Sequence, residues 1–178
     1  MALVVLLRGV NVGGHRTFRP KALADELKHL GAVNIGAAGT FVIPNGITPA
    51  QLRAELARRL PFDTEVIICK GREVVTLMSQ GHFADQPDRP EIVRFVSVLS
   101  RNPSSEPSMP LCLPSRGKWL LKILGRENQF VVGLYRRQMK AIGYLGQVDR
   151  LFGVPATTRN WNTFTAIANV LDDGVKPD

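Results

Sequence analysis

The sequence predicts an α+β fold, with a ferredoxin-like first unit followed by a second α+β unit. Three observations carry this. The first eighty residues alternate short β-rich runs with helix-patterned runs, those helices have readable start and stop signals, and no internal period of the solenoid kind is present.

Ala2 to Leu7 is a continuous apolar run rich in Val and Leu, the pattern of a buried strand. Arg19-Pro20 opens a helix with proline at its first position. Leu23, Leu27 and Leu30 fall on one face of it, and Gly31 closes it. Two short strands follow around Val33–Ala37 and Thr40–Ile43, separated by Ala38-Gly39. The second helix is the clearest element: Thr48 caps it, Pro49 sits in its first turn, and Gln51 completes a capping box. Leu52, Leu56 and Leu60 form its apolar stripe, with Arg53, Arg58 and Arg59 on the wet side, and Pro61 ends it. Glu65–Cys69 reads as a fourth strand. Strand–helix–strand–strand–helix–strand is the split βαβ order, satisfied by a four-stranded antiparallel sheet with both helices on one face.

The second half is less regular. Arg72–Ser79 is expected as a short helix and Glu91–Leu99 as a strand. Ser100–Arg116 holds four prolines among serines and reads as a surface loop. Lys118–Leu124 and Gln129–Tyr135 make a hairpin across Gly125-Arg126-Glu127-Asn128. A short helix is expected over Leu145–Phe152, and a final helix from Thr158 with Trp161, Phe164, Ile167 and Leu171 on one face. The expected division is residues 1–80 for the ferredoxin-like unit. Residues 81–178 then form the second unit, with the Pro/Ser-rich loop 100–116 and the C-terminal helix.

At 178 residues and 19.6 kDa, with 44% hydrophobic and 21% charged residues, the composition is that of a globular chain. No apolar run approaches a membrane span, and the opening MALVVLLRGV is short and wrongly flanked for a signal peptide, so a cytoplasmic protein without membrane contact is expected. Cys69 and Cys112 have the spacing of neither a disulfide framework nor a zinc site. His15, His29 and His82 lack paired ligand spacing, so neither metal nor cofactor is expected. No G-x-S-x-G elbow marks a nucleophile, and whether the chain is an enzyme stays open. The net charge is +8, and the stretch Arg94–Arg159 alone carries eleven Lys or Arg against three acids. A surface so biased concentrates anions, either small molecules or nucleic acid.

Two sequence words bear on which. Gly9-Val10-Asn11-Val12-Gly13-Gly14-His15-Arg16 follows the first strand, and the spacing Gly9-x4-Gly14 is that of a loop whose backbone N–H groups cradle oxygens. His15 and Arg16 stand where a nucleotide-hydrolysing loop needs lysine and a hydroxyl, so a simple anion-binding loop fits better. Thr157-Thr158-Arg159-Asn160-Trp161 reads as the opening of the last helix, where Arg159 in the first turn opposes the helix dipole unless an anion sits beside it. The expected anion-binding set is Arg8, Asn11, Gly13, Gly14, His15, Arg16, Arg159 and Asn160. Both words converge on one phosphate or carboxylate in this reading. Alternatives are a nucleic-acid surface around Lys118-Trp119, Phe130 and Tyr135-Arg136-Arg137, an enzyme acting on an anionic metabolite, and a purely structural role for both words.

With those residues in hand, the chain resembles the bacterial DUF1697 family. Leu6-Leu7-Arg8-Gly9-Val10-Asn11-Val12-Gly13-Gly14 is similar to that family's amino-terminal signature, and Thr157-Thr158-Arg159-Asn160-Trp161-Asn162-Thr163 to its carboxyl-terminal one. The family usually shows Ser-Gly-Asn where Ala38-Gly39-Thr40 stands, and lysine is common at the position of His15. The resemblance implies an α+β fold with a ferredoxin-like first unit and a related second one. It implies no activity.

Overall fold

A computed structural model describes residues 1–174 apart from 13, 15 and 45. It is a mixed α+β structure with two antiparallel sheets, and the chain divides into two compact units.

The first unit contains residues 1–78 and the chain from Thr163 onward. Its strands are β1 (Leu3–Leu7), β2 (Val33–Ile35), β3 (Thr40–Ile43) and β4 (Val66–Lys70), ordered β2-β3-β1-β4 with every neighbouring pair antiparallel. Helices α1 (Pro20–Glu26) and α2 (Pro49–Arg59) connect them, and α3 (Gly71–Ser79) follows β4 directly. Leu3, Val5, Leu7, Phe41 and Ile43 meet Leu23, Leu52 and Leu56 from the helices, and Leu27 just after α1, in one core cluster. Each such leucine, removed from water, contributes about 1.5–3 kcal/mol. The Thr48–Gln51 capping box forms as the sequence predicts, with Gln51 Oε1 accepting from the Thr48 N–H at 3.0 Å. Gly39 at the β2–β3 turn is fixed by geometry: its φ is +77°, and a Cβ there would lie 2.8 Å from Val10 and 2.9 Å from Leu7.

The second unit spans Ser79–Asn162. Its strands are β5 (Ile92–Leu99), β6 (Leu111–Leu113), β7 (Leu121–Glu127), β8 (Phe130–Arg136) and β9 (Ala156–Asn160), in the order β6-β7-β8-β5-β9. Helices α4 (Met139–Leu145) and α5 (Val148–Phe152) lie between β8 and β9. Phe95, Leu99, Leu121, Ile123 and Val131 pack with Val148 and Phe152 in its core. Strands β7-β8-β5-β9 repeat the sequence of neighbours in the first sheet, with the segment from Ser100 to Leu120 standing where the first unit has α1.

Several expectations need correction. The last helix, α6 (Trp161–Asp173), begins at Trp161 rather than Thr158, because Ala156 to Asn160 pair with Leu99 to Phe95 as an edge strand. Two adjacent β-branched threonines suit a pleated ladder as well as a cap, and tertiary pairing decides between them. From Thr163 the chain groups with the first unit rather than the second: a Cβ on Gly71 would come within 2.8 Å of Leu171 on α6. The Pro/Ser-rich loop contains the short strand β6, the helix expected over Leu145–Phe152 shortens to α5 with the unexpected α4 before it, and the hairpin turn narrows to Asn128-Gln129.

Candidate functional site

The two signature words belong to different units, Arg8–Arg16 to the first and Thr157–Asn160 to the second, and each is held by bonds within its own unit. After β1 the chain turns at Gly9 with φ +66°, and Asn11 adopts φ +54°. The Asn11 amide bridges the loop: its Nδ2 donates to the Ala37 carbonyl at 3.0 Å while its Oδ1 accepts from the Phe18 N–H at 2.9 Å. The Asn11 N–H donates to the Arg16 carbonyl at 3.2 Å. Thr64 links the loop to the lead-in of β4 by donating to the Arg8 carbonyl and accepting from Arg16 at 3.4 Å. Arg8, Gly14 and Arg16 are exposed, while Gly13 and His15 lie outside the described residues. Asn11 therefore shapes the loop through bonds to the protein's own backbone.

Arg159 sits on β9 opposite Val96 and is buried to 8% exposure. Its guanidinium donates to Thr157 Oγ1 at 2.7 Å and to the Thr158 carbonyl at 3.0 Å, and burial pulls its pKa down to about 10, so it stays charged at neutral pH. Because it lies on a strand and outside the first turn of α6, the argument from an opposed helix dipole does not apply to it.

Asn160 leads to a feature the sequence reading did not assemble. At one end of the second sheet an open, polar cavity of about 580 Å³ is walled by the lead-in Asp88–Pro90, the start of β5, Tyr135 on β8, Arg137, Asn160, and Trp161 and Asn162 at the start of α6. Three arginines, Arg89, Arg94 and Arg137, share the wall with one acid, Asp88. Ladder register explains the convergence: Val93 pairs with Tyr135, and Phe95 with Asn160, so the same ends of β5, β8 and β9 coincide.

Each arginine is held differently. Arg137 Nε donates to the Pro90 carbonyl at 2.8 Å, which anchors its stem. Arg89 lies 3.9 Å from Glu91, an exposed pair worth well under ~1 kcal/mol. Arg94 rests with its guanidinium carbon 5.4 Å from the Phe83 ring centroid, and one terminal nitrogen is 4.0 Å from Asp88. Its Nε is buried without a hydrogen-bond partner. Buried donors are nearly always satisfied, which sets this nitrogen apart. Phe83 also meets Trp161 edge to face, centroids 4.8 Å apart, fixing the indole at the cavity rim.

Elsewhere the chemistry is sparse. Among the described residues no group of three His, Cys, Asp or Glu could hold a metal, and no helix is long and apolar enough to cross a membrane. Cys69 is buried on β4, and burial together with nearby Glu73 pushes its thiol pKa well up.

Fold and site together define a two-unit α+β protein carrying a cation-rich cavity on its second unit. A family model described as "Protein of unknown function (DUF1697)" matches residues 1–126, and the chain belongs to that family. The match includes the amino-terminal word and ends before Arg137, Asn160 and Trp161. Among solved structures, a conserved bacterial protein from Streptococcus pneumoniae is similar at a TM-score of 0.60 and 16% identity, covering 96% of this chain and 98% of that one. At that identity the likeness concerns the fold alone. No curated protein matches the chain.

Proposed function

We propose that the protein binds a phosphorylated or otherwise multiply charged small anion in the cavity of the second unit. The observation that carries this is Arg94, whose Nε is buried without an acceptor beside Arg89 and Arg137. Guanidinium groups bind phosphate and carboxylate oxygens in pairs, and a cavity wall with three cations and one acid attracts them. The positive end of the α6 dipole, beginning at Trp161, adds to the same field. Asn160 is the member of the sequence-predicted set that lines this cavity. Exposed Arg8 and Arg16 would add positive charge on the first unit, with Gly13, Gly14 and His15 beside them in the sequence.

Titration with inorganic pyrophosphate tests the reading. Ligand at a hundredfold over Kd stabilises the native state by about 2.7 kcal/mol. For a chain of this size that raises Tm by roughly 5–11 °C. Arg137→Ala should abolish most of the shift and Arg8→Ala should leave it intact. No shift with pyrophosphate or phosphate at millimolar concentration contradicts the proposal.

A second reading has its own observation. The Arg136 guanidinium lies 4.2 Å over the Trp119 ring, with Arg116, Lys118 and Lys140 exposed on the same unit. Cations beside an aromatic platform suit single-stranded nucleic acid. Affinity for an oligonucleotide should then fall steeply as salt rises, and a flat salt response removes this reading.

The fold supports a finer statement as well. The strand order β2-β3-β1-β4 with α1 and α2 as connections favours a ferredoxin-like first unit, and its partial repeat in β7-β8-β5-β9 favours a related second one.

A further inference from the structure

We infer that the cavity selects an oxyanion carrying its own O–H donor, such as hydrogenphosphate or a hydroxylated phosphate ester, and that Asp88 makes the selection; the inference rests on the anion-binding reading above. Three arginines alone would accept any small oxyanion, because a guanidinium offers donors only. Asp88 stands in the same wall and changes that. Its carboxylate lies 4.0 Å from a terminal nitrogen of Arg94, longer than a hydrogen bond, so the pair is not closed. The backbone that presents it is fixed beside the arginines. The Arg89 carbonyl accepts from the Ile92 N–H at 3.0 Å, and the Pro90 carbonyl accepts from Arg137 Nε at 2.8 Å. A ligand drawn to Arg94 therefore meets the Asp88 carboxylate as well.

An ionised carboxylate only accepts hydrogen bonds. Facing a ligand oxygen without hydrogen, it sets two negative atoms against each other. Facing a ligand O–H, it accepts a charge-assisted bond. One side chain thus penalises the first class of anion and favours the second, which is how an unmatched charge creates specificity. Sulfate belongs to the first class. Inorganic phosphate belongs to the second, since it keeps a proton at neutral pH and above. A phosphate ester loses its last proton with a pKa of about 6, and then qualifies only through a hydroxyl elsewhere in the molecule. The cavity of about 580 Å³ has room for either source of the donor. Selectivity is a ratio of affinities, so an oxyanion without a proton still enters at high concentration.

Calorimetric titrations of the full chain at about pH 8 and fixed ionic strength compare four dianions: inorganic phosphate, glycerol phosphate, methyl phosphate and sulfate. The first two carry an O–H donor and the last two carry none. At least one of the first pair should bind about tenfold or more tighter than both of the second, the scale of one hydrogen bond to a charged acceptor. An advantage for inorganic phosphate alone assigns the donor to the anion's own proton, and one for glycerol phosphate alone assigns it to a hydroxyl. Asp88→Asn, at an exposed position that leaves the fold intact, should bring all four to within about threefold of one another. The levelling should come chiefly from tighter binding of sulfate and methyl phosphate. Equal affinities in the wild-type chain, or a selectivity that survives Asp88→Asn, overturn the inference and leave the anion reading standing. Binding of none of the four overturns both.

Discussion

Gly133→Ala is the sharpest perturbation of the sheet that positions the cavity. Gly133 lies on β8 opposite Phe95 on β5 and Ile123 on β7, in the middle of the second sheet. A Cβ there would collide with the Lys122 carbonyl oxygen and lie 2.6 and 2.7 Å from two carbons of the Phe95 ring. Carbon pairs rest at about 3.5–4.0 Å, so the ring must retreat by about 1 Å. Phe95 is fully buried in the cluster with Val148 and Phe152, and the other obstacle is backbone, so neither yields cheaply. Overpacking of this kind costs about 3 kcal/mol, from which the stiffer unfolded chain returns about 0.4–1 kcal/mol. A net loss of about 2–3 kcal/mol lowers Tm by roughly 4–12 °C in a chain of this size. Calorimetric melting of wild type and variant measures it. Phe95→Leu should cost less in the Gly133→Ala background than in wild type, because the shortened side chain vacates the contested space. A Gly133→Ala variant melting within about 1 °C of wild type would refute this packing.

Two further outcomes follow from the same reasoning. Gly39→Ala combines a left-handed backbone with a clash against Val10 and Leu7, whereas Gly36→Ala shares the backbone strain at φ +68° and meets no atom within 4 Å. Melting should therefore show Gly39→Ala as the worse of the two by about 1–3 kcal/mol, and equal losses would contradict the close approach. Thiol titration should find Cys112, which is half-buried, reacting with a disulfide reagent in the native protein, and Cys69 reacting only after unfolding. Fast reaction of both would contradict the burial of β4.

The first unit was largely legible because its signals are local. Pro20, Gly31, the Thr48–Gln51 box and Pro61 punctuate helices wherever they occur, and the leucine spacings name the buried faces. β9 was hidden because Thr157-Thr158 carries cap and strand signals at once, and the deciding hydrogen bonds come from β5, some sixty residues earlier. The cavity was hidden for the same physical reason: it is assembled from strand ends that only sheet register brings together. One signal was available. Arg94 interrupts the apolar run Ile92–Leu99, and a cation inside a strand of that kind needs a partner or a purpose. The amino-terminal glycine word was legible as a turn, and its asparagine proved to be tied to Ala37 and Phe18.

The central claim is that the second-unit cavity receives an anion. A crystal grown with tungstate and measured near the tungsten absorption edge tests it most directly, since the heavy anion reports its own position. An anomalous peak is expected within hydrogen-bonding reach of Arg94 and Arg137. Peaks confined to other surfaces, with this cavity empty of tungstate, would contradict it.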